Sequence, residues 1–161
     1  GAFFFTQLQD KDMHIDGVLD VMQAAISRHG VKGVVLDPWN ELEYHRPARL
    51  SETEFVSEAL GKIRRFARMN NVHVWIVAHP TKLKKNEDGS YPVPRLYDIS
   101  GSAHWYNKAD NGIVVYREDP RGNDVRVYIQ KIRFREVGKL GKVDMRFIKD
   151  SGTFLEVENQ E

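Results

Sequence analysis

The sequence predicts an α/β fold, with a mostly parallel sheet flanked by helices and an antiparallel extension at its C-terminal end. Its first half alternates apolar strand segments with amphipathic helices, which is the order typical of parallel sheets. Its second half shortens into strands and turns, and residues 124–131 alternate polar with apolar side chains. The chain has 161 residues, 41% of them hydrophobic and none of them cysteine, which suits a single domain without disulfide bonds.

Five regular elements are expected in the first half of the chain, and a loop over residues 38–50 interrupts them. In chain order they are a buried strand over 2–7, a helix over 16–29 that Gly30 caps, a buried strand over 33–37, a helix from Ser51 to about Asn70, and a buried strand over 72–78. Ser51 and Glu54 have the spacing of a capping box, which marks a helix start.

The second half begins with a long polar loop over residues 79–99. A loop of this length inside a domain is usually functional. A short helix over 102–108 follows, and then four strands over 111–117, 124–131, 143–148 and 153–157. We expect these strands to extend the edge of the first sheet, and residues 1–161 to form one domain, because no linker divides them.

Basic residues are concentrated in two blocks, although the net charge is only +1. Residues 61–85 carry seven basic and no acidic side chains, and residues 121–149 carry nine basic and three acidic ones. Such blocks indicate a polyanionic partner, or else they only solvate helix and strand faces. No apolar run approaches the ~20 residues that span a bilayer, so we expect a soluble, cytoplasmic protein with no membrane partner.

Two apolar strands end in polar residues. Asp37 closes GVVLD at 33–37, and His79 closes VHVWIVAHP at 72–80. Ligands of parallel sheets gather at the carboxyl ends of strands, where a carboxylate can hold magnesium and a histidine can contact a phosphate. Each pattern alone is also common in strands without such a role.

Two further groups of cations are candidates for contacting phosphates. Lys131 and Arg133 in QKIRF lie two residues apart, so on a strand they share one face about 7 Å apart and suit a polyphosphate. Basic side chains of the 79–99 loop suit a nucleic-acid backbone, and nearby aromatic rings suit either base stacking or packing. These residues are Lys82, Lys84, Lys85 and Arg95, with Tyr91, Tyr97 and Trp105 as the rings. A solvated surface is the simpler explanation of each group taken alone.

Several catalytic motifs are absent from the sequence. It contains no G-x-x-x-x-G-K-[ST] phosphate-binding loop, no G-x-G-x-x-G and no G-x-S-x-G. An independent hydrolase or metalloenzyme is therefore poorly supported.

Taken in order, these segments resemble the RecA-like motor domain of ring-forming replicative helicases, the family of DnaB, Twinkle and the phage primase-helicases. GVVLDPWN is similar to the family's Walker B strand, VWIVAHPTK to the next strand, ISGSAHWYNKADNGIVVYR to its G-S-x-x-x-x-Q-x-x-D segment and VYIQKIRF to its K-x-R-F segment. Gly101, Ser102 and Asp110 match the third motif, whereas Asn107 stands where glutamine is usual.

The resemblance implies a RecA-like P-loop NTPase core that begins at Walker B, with the phosphate-binding loop and the catalytic glutamate upstream. It implies ATP and Mg²⁺ as cofactors, with Asp37 near the metal and His79 sensing the γ-phosphate. Arg133 would be the arginine finger and Lys131 its partner, both acting on the neighbouring subunit's nucleotide. The basic loop residues would contact DNA; they are Lys82, Lys84, Lys85 and Arg95.

The expected function is thus that of part of an ATP-dependent replicative DNA helicase, inactive as an isolated fragment. Its expected partners are single-stranded DNA, further copies in a hexamer, and a primase domain or protein. We expect a bacterial or phage-encoded origin. Three alternatives stay open: a RecA-like ATPase without unwinding activity, a non-catalytic module that binds single-stranded nucleic acid, and an α/β domain whose basic blocks only solubilise it.

Overall fold

The computed structural model describes residues 2–9, 12–100 and 102–157. The chain divides into two compact units, Gly1–His79 and Pro80–Glu161, which are described separately below. Whether they form one domain, as the sequence predicts, stays a prediction.

The described residues of the first unit form two parallel strands and three α-helices. In chain order its elements are α1 (Ile15–His29), β1 (Gly33–Leu36), α2 (Asn40–Tyr44), α3 (Glu52–Asn70) and β2 (His73–Ile76). The strands pair in parallel, with Gly33 opposite His73 and Leu36 opposite Ile76. The predicted order of strand, helix and parallel strand is therefore confirmed for this part of the chain.

Local capping fixes the ends of the two long helices. The Ser51 side chain accepts a hydrogen bond from the Glu54 backbone N–H, and the Glu54 carboxylate accepts one from the Ser51 N–H, which forms the predicted capping box of α3. Gly30 ends α1 with a φ of 64°, the left-handed conformation that glycine adopts without steric cost. The sequence therefore located both helices closely.

The core of the first unit lies between α1, α3 and the segment around α2. Phe55, Val56 and Ala59 of α3 are buried together with Val18 and Met22 of α1. Trp39 and Leu42 are almost fully buried as well, and the Trp39 ring lies 5.8 Å from that of Phe55. The prediction of a continuous loop over 38–50 is wrong for residues 40–44, because these apolar anchors hold a short helix between the two prolines.

The first unit also corrects all three predictions of buried strands. Residues 2–7 form no strand in the structure, and Phe3 and Phe5 are 89% and 96% exposed. An apolar segment becomes a strand only where another strand supplies hydrogen bonds, and no described strand pairs with this one. β1 and β2 do form, but Val35 and Trp75 are 63% and 48% exposed, because alternate side chains point away from the packed face.

The second unit is built on a four-stranded antiparallel sheet in the order β3–β4–β5–β6. After a 3₁₀ turn at Leu96–Asp98, its elements are α4 (Ser102–Lys108), β3 (Asn111–Tyr116), β4 (Asp124–Ile132), β5 (Gly141–Ile148) and β6 (Thr153–Glu156). Among the described strands, these four form a separate sheet. The predicted extension of the first sheet is therefore wrong, since these strands pair with their hairpin neighbours and not with β1 or β2.

Gly112 brings the 3₁₀ turn close to β3. A side chain at this position would collide with the side chain of Leu96. The register of β3 against β4 also shifts between Gly112 and Ile113. A glycine at this position therefore lets the end of the 79–99 loop pack against the sheet.

Candidate functional site

Asp37 lies at the carboxyl end of the parallel strand pair. The Val77 N–H donates to the Leu36 carbonyl at 2.9 Å, and the Trp39 N–H donates to the Val77 carbonyl at 2.7 Å. These bonds continue the contact between the two chain segments beyond the last paired residues. Asp37 therefore projects from an edge at which both strands end, and it is exposed there.

His79 lies at the same edge, three residues beyond the end of β2. Its backbone N–H donates to Asn40 Oδ1 at 3.5 Å, and its imidazole is exposed. Asp37 and His79 thus follow two neighbouring strands, and their roles stay predictions. Sequence reasoning missed Asn40, although it belongs to the same GVVLDPWN segment as Asp37.

The groups at this edge fit a magnesium ion that a nucleotide brings with it. Among the described residues, no group of three or more His, Asp or Glu side chains is placed to hold a metal. Mg²⁺ is often bound by one or two carboxylates together with substrate phosphates and water. The single carboxylate of Asp37 suits that arrangement, with the Asn40 amide as a second polar group nearby.

The 79–99 loop is closed at its base within the second unit. Pro80 and Ile99 form an isolated bridge, and both the N–H and the hydroxyl of Thr81 donate to the Asp98 carbonyl, at 2.7 and 2.8 Å. Near its tip, the Asn86 N–H donates to the Ser90 carbonyl, and Gly89 turns the chain with a φ of 83°. The two ends of the loop are therefore held together, and its tip has a defined turn.

Two side chains of the sheet fasten the returning half of this loop. Tyr116 of β3 donates its hydroxyl to the Tyr91 carbonyl at 2.6 Å, and the Gln130 amide of β4 donates to the Pro94 carbonyl at 2.7 Å. Burial raises the pKa of the Tyr116 phenol, and the charge of Glu118 raises it further. The hydroxyl therefore stays protonated and able to donate at neutral pH.

The predicted DNA-contacting cations lie on this loop and are exposed. Lys82 and Lys84 are on its outgoing half, and Lys85 has its ammonium 5.2 Å from the centre of the Tyr91 ring. Arg95 is on the returning half, where its backbone N–H donates to the Asp98 carboxylate. The structure thus places these four cations on one fastened loop, as the sequence predicts, and their contact with DNA stays a prediction.

Lys131 and Arg133 both reach the end of α4. Arg133 Nε lies 2.6 Å from Asp110 Oδ1, and its Nη2 donates to the carbonyls of Asn107 and Ala109 at 2.8 and 3.2 Å. Lys131 donates to the Tyr106 carbonyl and lies 4.6 Å from the centre of the Tyr106 ring. Each of the two cations is held by the segment around the end of α4, and Arg133 lies one residue beyond the end of β4, so their predicted spacing on one strand face stays a prediction.

The aromatic residues near the loop have different surroundings. Trp105 is buried, and its indole N–H donates to the Ser100 carbonyl at 2.9 Å, which identifies it as a packing residue. Tyr97 is exposed and stacks on Tyr106, with ring centres 4.7 Å apart. Tyr106 was missed from the sequence, where helical spacing alone did not distinguish it. Gly101 of the third motif lies outside the described residues.

No helix among the described residues combines the length and apolar character that crossing a membrane requires.

Comparisons with known proteins place these features in a family context. No protein-family model matches the chain. The chain is 42% identical over 144 residues to a Twinkle homolog protein, chloroplastic/mitochondrial, of Arabidopsis thaliana, which covers 87% of this chain and 20% of that protein. It also superposes on the structure of a DnaB-like replicative helicase solved to describe its interactions with primase, with a TM-score of 0.71, 25% identity, and coverage of 90% of this chain and 36% of that one.

These two similarities confirm the resemblance that the motifs predicted, and they support a helicase domain of the DnaB/Twinkle type. They also support an α/β fold of the RecA-like kind. The chain spans about a fifth of the plant protein and about a third of the helicase chain. The expectation of a cytoplasmic protein from a bacterium or phage is contradicted, because the named relative is a chloroplastic/mitochondrial protein of a plant.

Proposed function

We propose that this chain is the part of an ATP-dependent replicative DNA helicase that follows its phosphate-binding loop. The observation that carries the proposal is the edge at which Asp37 and His79 follow two adjacent parallel strands, with Leu36 opposite Ile76. In open α/β sheets, nucleotides bind beyond the carboxyl ends of the strands. The similarity to a Twinkle homolog and to a DnaB-like helicase supports this assignment.

The Asp37 edge would serve one end of the nucleotide. Asp37 would hold magnesium through its carboxylate, and magnesium bound with ATP neutralises charge on the phosphate oxygens. The exposed His79 imidazole would donate a hydrogen bond to the γ-phosphate and lose that partner after hydrolysis. Asn40 would help to orient this segment, because its amide oxygen faces the His79 N–H. The sequence contains no phosphate-binding loop of its own, so that element would come from upstream.

Arg133 and Lys131 would act on ATP bound by the neighbouring subunit of a hexamer. A guanidinium placed at the γ-phosphate stabilises charge that develops during phosphoryl transfer, an effect worth about 10³-fold or more in rate. Its fixed fork geometry also matches phosphate oxygens. The contacts of Arg133 with Asp110 and with the carbonyls of Asn107 and Ala109 would hold this side chain in a defined place until a nucleotide is presented.

The basic loop would contact single-stranded DNA. Its four cations are exposed on a projection whose base is closed, so they can follow a phosphate backbone without the loop having to fold first. His79 is the first residue of this loop, so a change in its contact with phosphate would be transmitted to the lysines. A primase domain or protein is a further proposed partner, since the similar helicase was solved to describe its interactions with primase.

The proposal is tested by measuring ATP hydrolysis and unwinding of a forked duplex by the full-length gene product. We expect DNA-stimulated hydrolysis together with unwinding, and loss of both in Asp37→Ala. Asp150→Ala, at an exposed turn between β5 and β6, is the control that removes the same charge. Hydrolysis without unwinding would favour a RecA-like ATPase of another kind. Binding of single strands without any hydrolysis would favour a non-catalytic module and contradict the proposal.

A further inference from the structure

Three groups of the second unit form a layered stack that ends at the surface. The Tyr106 ring lies at its centre, with the Lys131 ammonium 4.6 Å from its centroid. The Tyr97 ring stacks on Tyr106 at 4.7 Å with an angle of 21° between the planes. Tyr97 is the most exposed member of the pair, at 51% against 36% for Tyr106. The exposed Tyr97 ring therefore presents an aromatic surface to solvent and is supported by the Tyr106 ring.

The backbone around this stack is fixed by independent contacts. Tyr97 belongs to the 3₁₀ turn Leu96–Asp98, in which the Asp98 carboxylate accepts from the Arg95 N–H at 2.6 Å. Leu96 packs against Gly112 of β3, and Gln130 holds the Pro94 carbonyl. The exposed ring of Tyr97 is thus held in position before any ligand arrives, which lowers the entropic cost of binding.

A shallow pocket lies beside the stack and adds polar groups to it. Its lining residues are Arg95, Leu96, Tyr97, Tyr106 and Gln130. Arg95 brings a cation to the pocket, and a guanidinium binds phosphate or stacks on a planar ring. The pocket therefore combines a flat aromatic surface with a positive charge, which are the two features that a nucleotide unit requires.

We infer that Tyr97, supported by Tyr106 and flanked by Arg95, forms a stacking site for one base of a single-stranded nucleic acid. The exposed Tyr97 ring would stack on the base, and Arg95 would contact an adjacent phosphate. This site would add a base contact to the phosphate contacts of Lys82, Lys84 and Lys85 on the same loop. The inference rests on the proposed function, because it takes the DNA bound by this loop as its ligand.

The test compares two fluorescent oligonucleotides of equal length, oligo(dT) and an abasic strand that keeps the phosphates and lacks the bases. Binding to the full-length gene product is measured by anisotropy at fixed salt concentration. Alanine substitution of a stacking residue lowers affinity by a factor between about 5 and 150. We expect Tyr97→Ala to lose affinity in this range for oligo(dT) and to bind the abasic strand as the wild type does. Tyr97→Phe should retain binding, because it keeps the ring.

Phe154→Ala is the matched control, since Phe154 is also an exposed ring in contact with another ring, Phe147, with ring centres 5.0 Å apart. Its affinity for both strands should equal that of the wild type. Equal losses on both strands in Tyr97→Ala, or no loss on either, would overturn the stacking site while leaving the proposed function intact. A loss of affinity for free dTMP without one for oligo(dT) would also overturn it, because the ligand would then be a free nucleotide. If the wild type binds neither strand, the proposed DNA contact itself fails.

Discussion

Arg133 is the residue on which the proposed chemistry depends most. Its guanidinium is held by the Asp110 carboxylate and by two backbone carbonyls, so its position is defined by several contacts at once. In the full-length gene product, Arg133→Ala should lower ATP turnover by about 10³-fold while ATP binding is retained, because the guanidinium acts on the transition state. Turnover is measured by phosphate release and binding by a fluorescent ATP analogue.

Arg135→Ala is the control for this substitution. Arg135 lies two residues further along in an exposed 3₁₀ turn, so the variant removes the same charge without touching α4. Its turnover should match that of the wild type. Wild-type turnover in Arg133→Ala would exclude the finger role.

Asp110 should act on the reaction through Arg133. Asp110→Asn keeps the size of the side chain but removes the charge that faces Arg133 Nε at 2.6 Å. We expect kcat to fall by about 10- to 100-fold with KM little changed, because misplacement of a catalytic group by about an ångström costs this much. In the Arg133→Ala background the same substitution should have almost no additional effect. An equally large second loss in the double variant would show that Asp110 has a separate role.

The residues of the candidate site differ in how well their sequence patterns predicted them. Asp37 and His79 follow apolar strands, and a strand ending is visible in the sequence. The contacts of Asn40, Asp110 and Tyr106 span 23 to 39 positions, and no local sequence pattern contains them. The Trp105 ring was open to two interpretations, and only its burial identifies it as packing.

At the scale of single elements, the capping box makes α3 sensitive to substitution and to pH. Ser51→Ala should lower the free energy of unfolding by about 1 kcal/mol, because the Glu54 N–H then loses its acceptor. The variant is compared with the wild type by urea denaturation. Ser57→Ala, which changes the same side chain within the helix, should cost less. A smaller loss at Ser51 than at Ser57 would contradict the capping role.

The hydrogen bonds from Ser51 also lower the pKa of Glu54 from its ordinary value of 4.5. A carboxyl group with a lowered folded-state pKa stabilises the fold above its unfolded pKa, and this contribution is lost as the pH falls through the folded value. Glu54→Gln should therefore reduce the loss of stability below about pH 4.5. Thermal melts of both proteins between about pH 3 and about pH 7 measure the difference. If the melting temperature of Glu54→Gln depends on pH as that of the wild type does, the proposed contribution of Glu54 is contradicted.

The 79–99 loop makes a prediction about salt. Replacing its three outgoing lysines by alanine should weaken binding of single strands and flatten the dependence on salt. Each lost phosphate contact changes the logarithmic slope by about 0.7, so the change should be about 2 for three contacts. The substituted residues are Lys82, Lys84 and Lys85. The measurement is oligo(dT) affinity at several salt concentrations.

A triple variant of equal charge, with its substitutions in β5 and in the segments that flank it, is the control. It should leave the slope almost unchanged, because it lowers the net charge by the same amount without removing a contact between the loop and a phosphate. The replaced residues are Lys139, Lys142 and Lys149. Equal changes in slope for the two triple variants would mean that DNA is bound by general charge and not by this loop.

Elements with strong local signals were predicted closely, and those that depend on pairing were not. α1 and α3 have amphipathic periodicity and caps, which operate within a few residues. The aromatic segment 2–7 has strand composition, yet no described strand pairs with it. α2 depends on Trp39 and Leu42 reaching the core, which the prolines on either side concealed.

At the scale of the whole molecule, the separation into two sheets could not be predicted from the sequence. The order of strands along the chain does not reveal whether antiparallel strands extend a parallel sheet or form a sheet of their own, because both arrangements have the same local sequence patterns. In the structure, β3 pairs with β4, and the four strands follow one another in the sheet in their chain order. The family similarity covers both units, since 90% of the chain superposes on the helicase structure.

The central claim is that ATP is hydrolysed between subunits, with Asp37 from one and Arg133 from the next. It is tested most directly by mixing two inactive variants of the full-length gene product, Asp37→Ala and Arg133→Ala. Each Arg133→Ala subunit keeps its Asp37, and each Asp37→Ala subunit keeps its Arg133. In mixed rings, some interfaces therefore combine an intact Asp37 from one variant with an intact Arg133 from the other. We predict that DNA-stimulated ATP hydrolysis returns on mixing and that neither variant alone recovers it. Failure of any mixture to hydrolyse ATP, when mixed assemblies are seen to form, would contradict the account.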